Sequence, residues 1–186
     1  MQSLGRIATY IHAGKIGAMV EVTCESDFIA QSEVFRALIH DVAMQIAAAH
    51  PKFFRKANVP PEMVEQERKK YRDEATEIRR PAPVIEKIIE GKIAKFYEEI
   101  CLYEQPFIKD SSISISTLVK SKSDELGEKF TIGRFVRFEL GGNITVANDS
   151  GWQSDGEDEA SVMSPRNVPP KSGSGSAAAI LDMDHE

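Results

Sequence analysis

The segment IGAMVEVTC, residues 16–24, constrains the fold more than any other stretch. Ile16, Ala18, Val20, Val22 and Cys24 share one face of an extended strand, while Gly17, Met19, Glu21 and Thr23 share the other. The first face is the natural core side. The β-rich RIATYIH (6–12) precedes it, and AGK (13–15) supplies the turn of a hairpin. A two-stranded ribbon is marginal in water, so the chain needs a third strand. RFVRFEL (134–140) fits, with Val136, Phe138 and Leu140 on one face and Arg137 and Glu139 on the other. A sheet built this way joins both ends of the folded region.

The sequence between these strands reads as helical. Ser32 caps a helix whose apolar positions, Val34, Phe35, Leu38, Ile39, Val42, Ala43, Ile46 and Ala47, form one face, and Pro51 limits its length. A second helix starts near Pro60 or Pro61. Its seam is thin, Val64, Tyr71, Ala75 and Ile78, flanked by six acids and six bases between Glu62 and Arg80. PAP (81–83) breaks it, and a third helix turns Ile85, Ile89, Ile93, Phe96, Ile100 and Tyr103 inward, giving a helical hairpin. SISTLVKSKSDELG (114–127) adds a short helix capped by Ser114 or Ser116. The expected class is α+β: a small three-stranded antiparallel sheet with helices inserted between strands 2 and 3.

Charge divides the chain in two. Residues 142–186 hold eight of the 29 acids against two of the 23 bases, so the whole net charge of −6 belongs to them. Their Gly, Ser, Pro and acid content predicts a disordered acidic tail, leaving 1–141 as the folded domain. A neutral body without a basic stripe argues against nucleic-acid binding, where phosphate neutralisation dominates affinity. No apolar run approaches the ~20 residues that cross a bilayer. The first residues, MQSLGRIATY, lack the charged and apolar regions of a signal peptide. Two cysteines, Cys24 and Cys101, form no disulfide framework and point to a reducing cytoplasm.

Chemistry is sparse. His12, His40, His50 and His185 show no metal-ligand spacing among themselves or with the cysteines, and no phosphate-binding glycine loop occurs. Neither a metal, a cofactor nor an enzyme active site is expected. His12 and Cys24 can be drawn as a nucleophile pair across the hairpin, with Asp27 nearby, but Cys24 shares the core face, where a thiol packs as an inert hydrophobe. The residues that stand out are CESDFIAQS (24–32). Ser26 can cap a single helical turn, with Asp27 at its positive end. Phe28 and Ile29 then either dip into the core or form an acid–aromatic finger that wedges into a partner.

The run EVTCESDFIAQSEVF closely resembles the signature of the elongation factor Ts family, in which Val-Asn-Cys is followed by Glu or Gln, Ser or Thr, then Asp-Phe-Val-Ala and a base. YIHAGKIGAMVEV, DVAMQIAAAHPKF, VIEKIIEGKIAKFYEEICLYEQPFIKD and GRFVRFELG resemble family segments in family order, over residues 6–141. Thr23, Ser26, Ile29 and Gln31 are mild departures. The resemblance implies a guanine-nucleotide exchange factor of elongation factor Tu, acting in protein biosynthesis. It further implies that Ser26, Asp27, Phe28 and Ile29 form the loop that intrudes on the partner's nucleotide domain and disturbs the Mg2+ holding GDP. His12 would grip another domain of that partner, and short family members make a homodimer plausible through the sheet or the helical hairpin. Such a factor works in the cytoplasm, or in an organelle matrix if eukaryotic. Family members normally begin with a helical module ahead of the first strand, which this chain is expected to lack, so a binding-only remnant is the alternative.

Overall fold

The inward face of residues 16–24 is the expected one: Ala18, Val20, Val22 and Cys24 are buried. The structure is a computed structural model that describes residues 4–76 and 81–148. In chain order its elements are β1 (Gly5–His12), β2 (Ile16–Thr23), α1 (Asp27–Gln31), α2 (Glu33–Ala49), α3 (Pro61–Thr76), α4 (Ala82–Ile100), β3 (Pro106–Phe107), β4 (Asp110–Ser114), α5 (Ile115–Leu126), β5 (Thr131–Glu139) and β6 (Thr145–Asn148). The expected α+β class holds, with the helices between β2 and β5. β1 and β2 pair from Gly5 with Thr23 to His12 with Ile16. Ala13 (φ 50°) and Gly14 (φ 67°) make the turn, closed by Lys15 N–H donating to the His12 carbonyl at 2.9 Å. Two left-handed central residues match the strands' twist.

One expectation about the sheet needs correction. Among the described residues it has four antiparallel strands, β1-β2-β5-β6, not three. The fourth, Thr145–Asn148, lies where a disordered tail was expected to have begun; the tail from 149 onward lies outside the described residues. In β5 the structure decides which of the two expected faces is inward. Ile132, Phe135 and Arg137 face the core, whereas Val136 and Phe138 face outward. An arginine is tolerated inside because its polar atoms are satisfied: Nε donates to the Ala47 carbonyl at 3.1 Å and a terminal nitrogen to Glu139 at 2.8 Å.

α2 lies across the inner face of β1 and β2, with Phe35, Val42, Ala43 and Ile46 fully buried. Phe35 meets Phe130 edge-on at 5.1 Å, and Phe54 packs on Phe135 at 5.0 Å. Gln45 is also fully buried and accepts from Ile108 N–H at 2.9 Å while donating to Gln105 and to the Pro106 carbonyl. That network fixes the small β3–β4 hairpin, which the sequence did not announce. α3 and α4 form the expected helical hairpin, seamed by Ala75, Ile89 and Ile93 and bridged by Arg68–Glu90 and Lys92–Glu74 ion pairs at 2.5 Å. Ile78 lies outside the described residues.

Candidate functional site

Residues 24–26 turn the chain from β2 into α1, and hydrogen bonds from several directions fix the turn. Cys24 N–H donates to the Leu4 carbonyl at 3.1 Å, and the Cys24 thiol donates to the Ser26 carbonyl at 3.3 Å. Ser26 has extended backbone angles, and its Oγ accepts from Ile29 N–H at 3.3 Å, capping α1. At the other end Ser32 serves twice. Its N–H donates to the Ile29 carbonyl at 2.9 Å, and its Oγ accepts from Phe35 N–H at 3.2 Å to cap α2. A residue not singled out in the sequence completes the set. The Glu128 carboxylate accepts from Glu25 N–H at 3.2 Å, from Ser26 N–H at 3.0 Å and from the Ser26 hydroxyl. Nothing in the spacing of residues 24–32 signals a partner so remote in sequence.

Successive helical residues step by about 100° around the axis, so five residues cannot all face one way. Ile29 and Ala30 point into the core, Ile29 at 7% exposure. Phe28 points out and is 84% exposed. The two alternatives for this pair therefore divide: the isoleucine dips inward and the phenylalanine forms the finger. Asp27 and Gln31 share the outer side, where Gln31 Nε2 donates to an Asp27 carboxylate oxygen at 2.6 Å. Leaving a ring of this size in water forfeits about 2 kcal/mol of burial. Asp27 precedes it in the chain, and Glu128 is bonded to the backbone of the two residues before that.

The remaining candidates separate in space. His12 is exposed at the turn end of β1, its ring stacked near Tyr10 at 6.4 Å. Cys24 follows the opposite end of β2, because Thr23 pairs with Gly5 and Ile16 with His12. Seven residues of strand put roughly 23 Å between those ends. The His12–Cys24 nucleophile pair is therefore ruled out. Burial, with Glu128 and Asp27 adding to it, also pushes the Cys24 thiol above its ordinary pKa, away from thiolate. Burial takes Cys101 up to about 12. Among the described residues no helix is long and apolar enough to cross a membrane.

The outer face of the sheet is apolar. Ile7, Ile11, Met19, Phe138 and Val146 are all exposed there, with Val136 between them. Ile7, Met19, Val136 and Val146 line a shallow depression whose rim carries the Glu21–Arg134 ion pair at 2.8 Å.

Comparison with known proteins identifies the family. The family model described as elongation factor TS matches residues 1–142. The elongation factor Ts of Koribacter versatilis is 53% identical over 159 residues, covering 85% of this chain and 73% of that protein. That of Solibacter usitatus is 48% identical over 151 residues, 81% of this chain and 70% of its own length. That of Carboxydothermus hydrogenoformans is 48% identical over 144 residues, 74% and 66% of the two chains. With a family model spanning most of the chain and a relative of this similarity, the chain belongs to the elongation factor Ts family of translation elongation factors.

Proposed function

We propose that this chain is a guanine-nucleotide exchange factor that binds elongation factor Tu in its GDP-bound state, disturbs its Mg2+ site and so promotes GDP release. The observation that carries this reading is Phe28: a ring 84% exposed on a pinned corner, inside the run that resembles the family signature. Phe28 is the wedge and Asp27 its acidic neighbour. Ser26 caps the turn that presents them, and Ile29, buried beneath, anchors it. His12, at the far end of the hairpin, is the second point of contact. The chain performs no covalent chemistry in this role, and its place of action is the cytoplasm or an organelle matrix. The folded domain proposed for 1–141 is extended by the described strand β6, Thr145–Asn148.

Mg2+ demands near-ideal octahedral geometry, so a small displacement of its ligands weakens bound GDP. The factor need not touch the nucleotide. It must bind the distorted site better than the intact one, and that difference is the coupling free energy. Reciprocity then requires GDP to weaken the factor's own binding by an equal factor. Release of a fluorescent GDP from elongation factor Tu, followed with and without the chain, tests the reading. Faster release in Mg2+, with a smaller advantage once EDTA has removed the ion, is expected. Binding with no acceleration would overturn it.

A second reading, self-association or partner binding without exchange, draws on the outer sheet face. Several exposed apolar side chains on one flat surface fit a self-complementary interface between two copies. A homodimer through this face is compatible with exchange, since Phe28 extends from the α1 corner. Sedimentation of the chain with and without Phe138→Asp measures it: the wild type sediments as a dimer and the variant as a monomer.

A further inference from the structure

We infer that Glu128 is a positioning residue for the Phe28 corner, holding the wedge in place from another part of the fold; this rests on the exchange reading above. One carboxylate accepts three hydrogen bonds from the two residues before α1: Glu25 N–H, Ser26 N–H and the Ser26 hydroxyl. By accepting the hydrogen bond from that hydroxyl, Glu128 leaves a Ser26 lone pair aimed at Ile29 N–H, the capping bond of α1. Its influence reaches Asp27 and Phe28 through the backbone they continue.

Glu128 is itself firmly mounted. Gly127 (φ 70°) ends α5, and both its N–H and that of Glu128 donate to the Ser123 carbonyl, the latter at 3.2 Å. The Ser123 hydroxyl donates back to the Glu128 carbonyl. α5 is fixed to the core by Ile115 and Val119, both buried. The mount therefore runs from a packed helix, through a left-handed glycine cap, to the first turn of α1.

Folding alone does not call for this arrangement. Ile29 and Ala30 already secure α1 in the core, and Cys24 N–H already holds the strand end against Leu4. The Ser26 side chain also caps α1 through its own bond from Ile29 N–H. The gain is in orientation. A wedge transmits force only as far as its mount resists yielding, so a loosened corner lets the partner's nucleotide site push Phe28 aside. The loss should fall on the maximal rate of GDP release, since the remaining contacts still form the complex.

The test is fluorescent-GDP release from elongation factor Tu, titrated with the full chain carrying Glu128→Ala, Glu128→Gln or, as reference, Phe28→Ala. Glu128→Ala is expected to lower the maximal rate about tenfold, with less than about a twofold change in half-saturating concentration. Glu128→Gln restores part of the rate, because its amide oxygen still accepts from Ser26 N–H. Amide hydrogen exchange on the same variants reads the mount without the partner: Glu128→Ala should speed exchange at Glu25 and Ser26 about tenfold while β2 stays protected. A wild-type maximal rate in Glu128→Ala alongside a crippled Phe28→Ala overturns the role of Glu128 alone. So does a loss confined to half-saturation, or unchanged exchange at Glu25 and Ser26. A wild-type rate in Phe28→Ala overturns the exchange reading, and this inference with it.

Discussion

α1 and α2 are consecutive helices that share Ser32, the end of one and the cap of the other, yet they use phenylalanine in opposite ways. In α2, Phe35 is fully buried against Phe130. In α1, seven positions earlier, Phe28 is 84% exposed. Neither residue type nor local propensity separates them. The difference lies in length and anchoring. α2 is 17 residues long and covers the sheet with a continuous apolar face. α1 is five residues long, spends its inward positions on Ile29 and Ala30, and is held by hydrogen bonds at both ends. Burial along its whole length builds α2, whereas α1 has two buried anchors and depends on caps to complete its single turn. A segment stabilised by caps is free to present a ring outward.

The contrast can be broken most severely at its buried member. Phe35→Ala removes a fully enclosed ring and should cost about 3–5 kcal/mol in urea unfolding. A loss below about 1 kcal/mol would mean that α2 does not depend on this core. Next comes the strand end that feeds the corner. A Cβ on Gly5 would sit 2.2 Å from the Val22 carbonyl oxygen and 2.7 Å from the Thr23 Cα, at a φ of 146°. Gly5→Ala should therefore cost about 2–4 kcal/mol by forcing β1 from β2 just before residue 24. A melting temperature equal to the wild type's would show the strand end to be looser than the contrast assumes.

Ser32→Ala acts on the residue that both helices share. Loss of the cap on Phe35 N–H should cost about 1 kcal/mol, and amide exchange should rise in the first turn of α2. The smallest effect is at the far end of α2. Burial, helped by the Arg137 and Lys52 charges and opposed by Glu139, holds the His50 imidazole below its ordinary pKa, and its Nε2 sits 2.8 Å from the Thr145 hydroxyl. Unfolded chains take up the proton near pH ~6.5; the folded chain does so only at lower pH. The unfolded state thus binds more protons in that window, and stability should fall as pH drops through it. Wild type and His50→Gln, melted between pH 7 and 5, should diverge, with the flatter profile in the variant. Parallel profiles would remove His50 from the account.

Much of the fold was legible because it is written in periodicity. The inward face of β2, the apolar stripe of α2 and the break at PAP follow from local spacing and from proline. The outward turn of Val136 and Phe138 was not legible, because reading it requires knowing that Arg137 finds the Ala47 carbonyl inside. β6 is hidden by its surroundings: NITVAN is strand-like, but it opens an acidic, Gly/Ser-rich extension whose composition dominates the local pattern. The family resemblance singles out Ser26 to Ile29, and the structure places them on one capped corner. Their division into one outward ring and one inward anchor follows from helix geometry, once α1 is known to be five residues long. Glu128 could not be read at all, since a carboxylate reaching across the fold leaves no local pattern.

The most direct test is the maximal rate of GDP release from elongation factor Tu at saturating Phe28→Ala. Phe28 is mostly in water, so the variant should keep its stability within about 0.5 kcal/mol of wild type. The account predicts that it still forms the complex but leaves GDP release near the spontaneous rate. Release at the wild-type maximal rate by a folded, bound Phe28→Ala would contradict it.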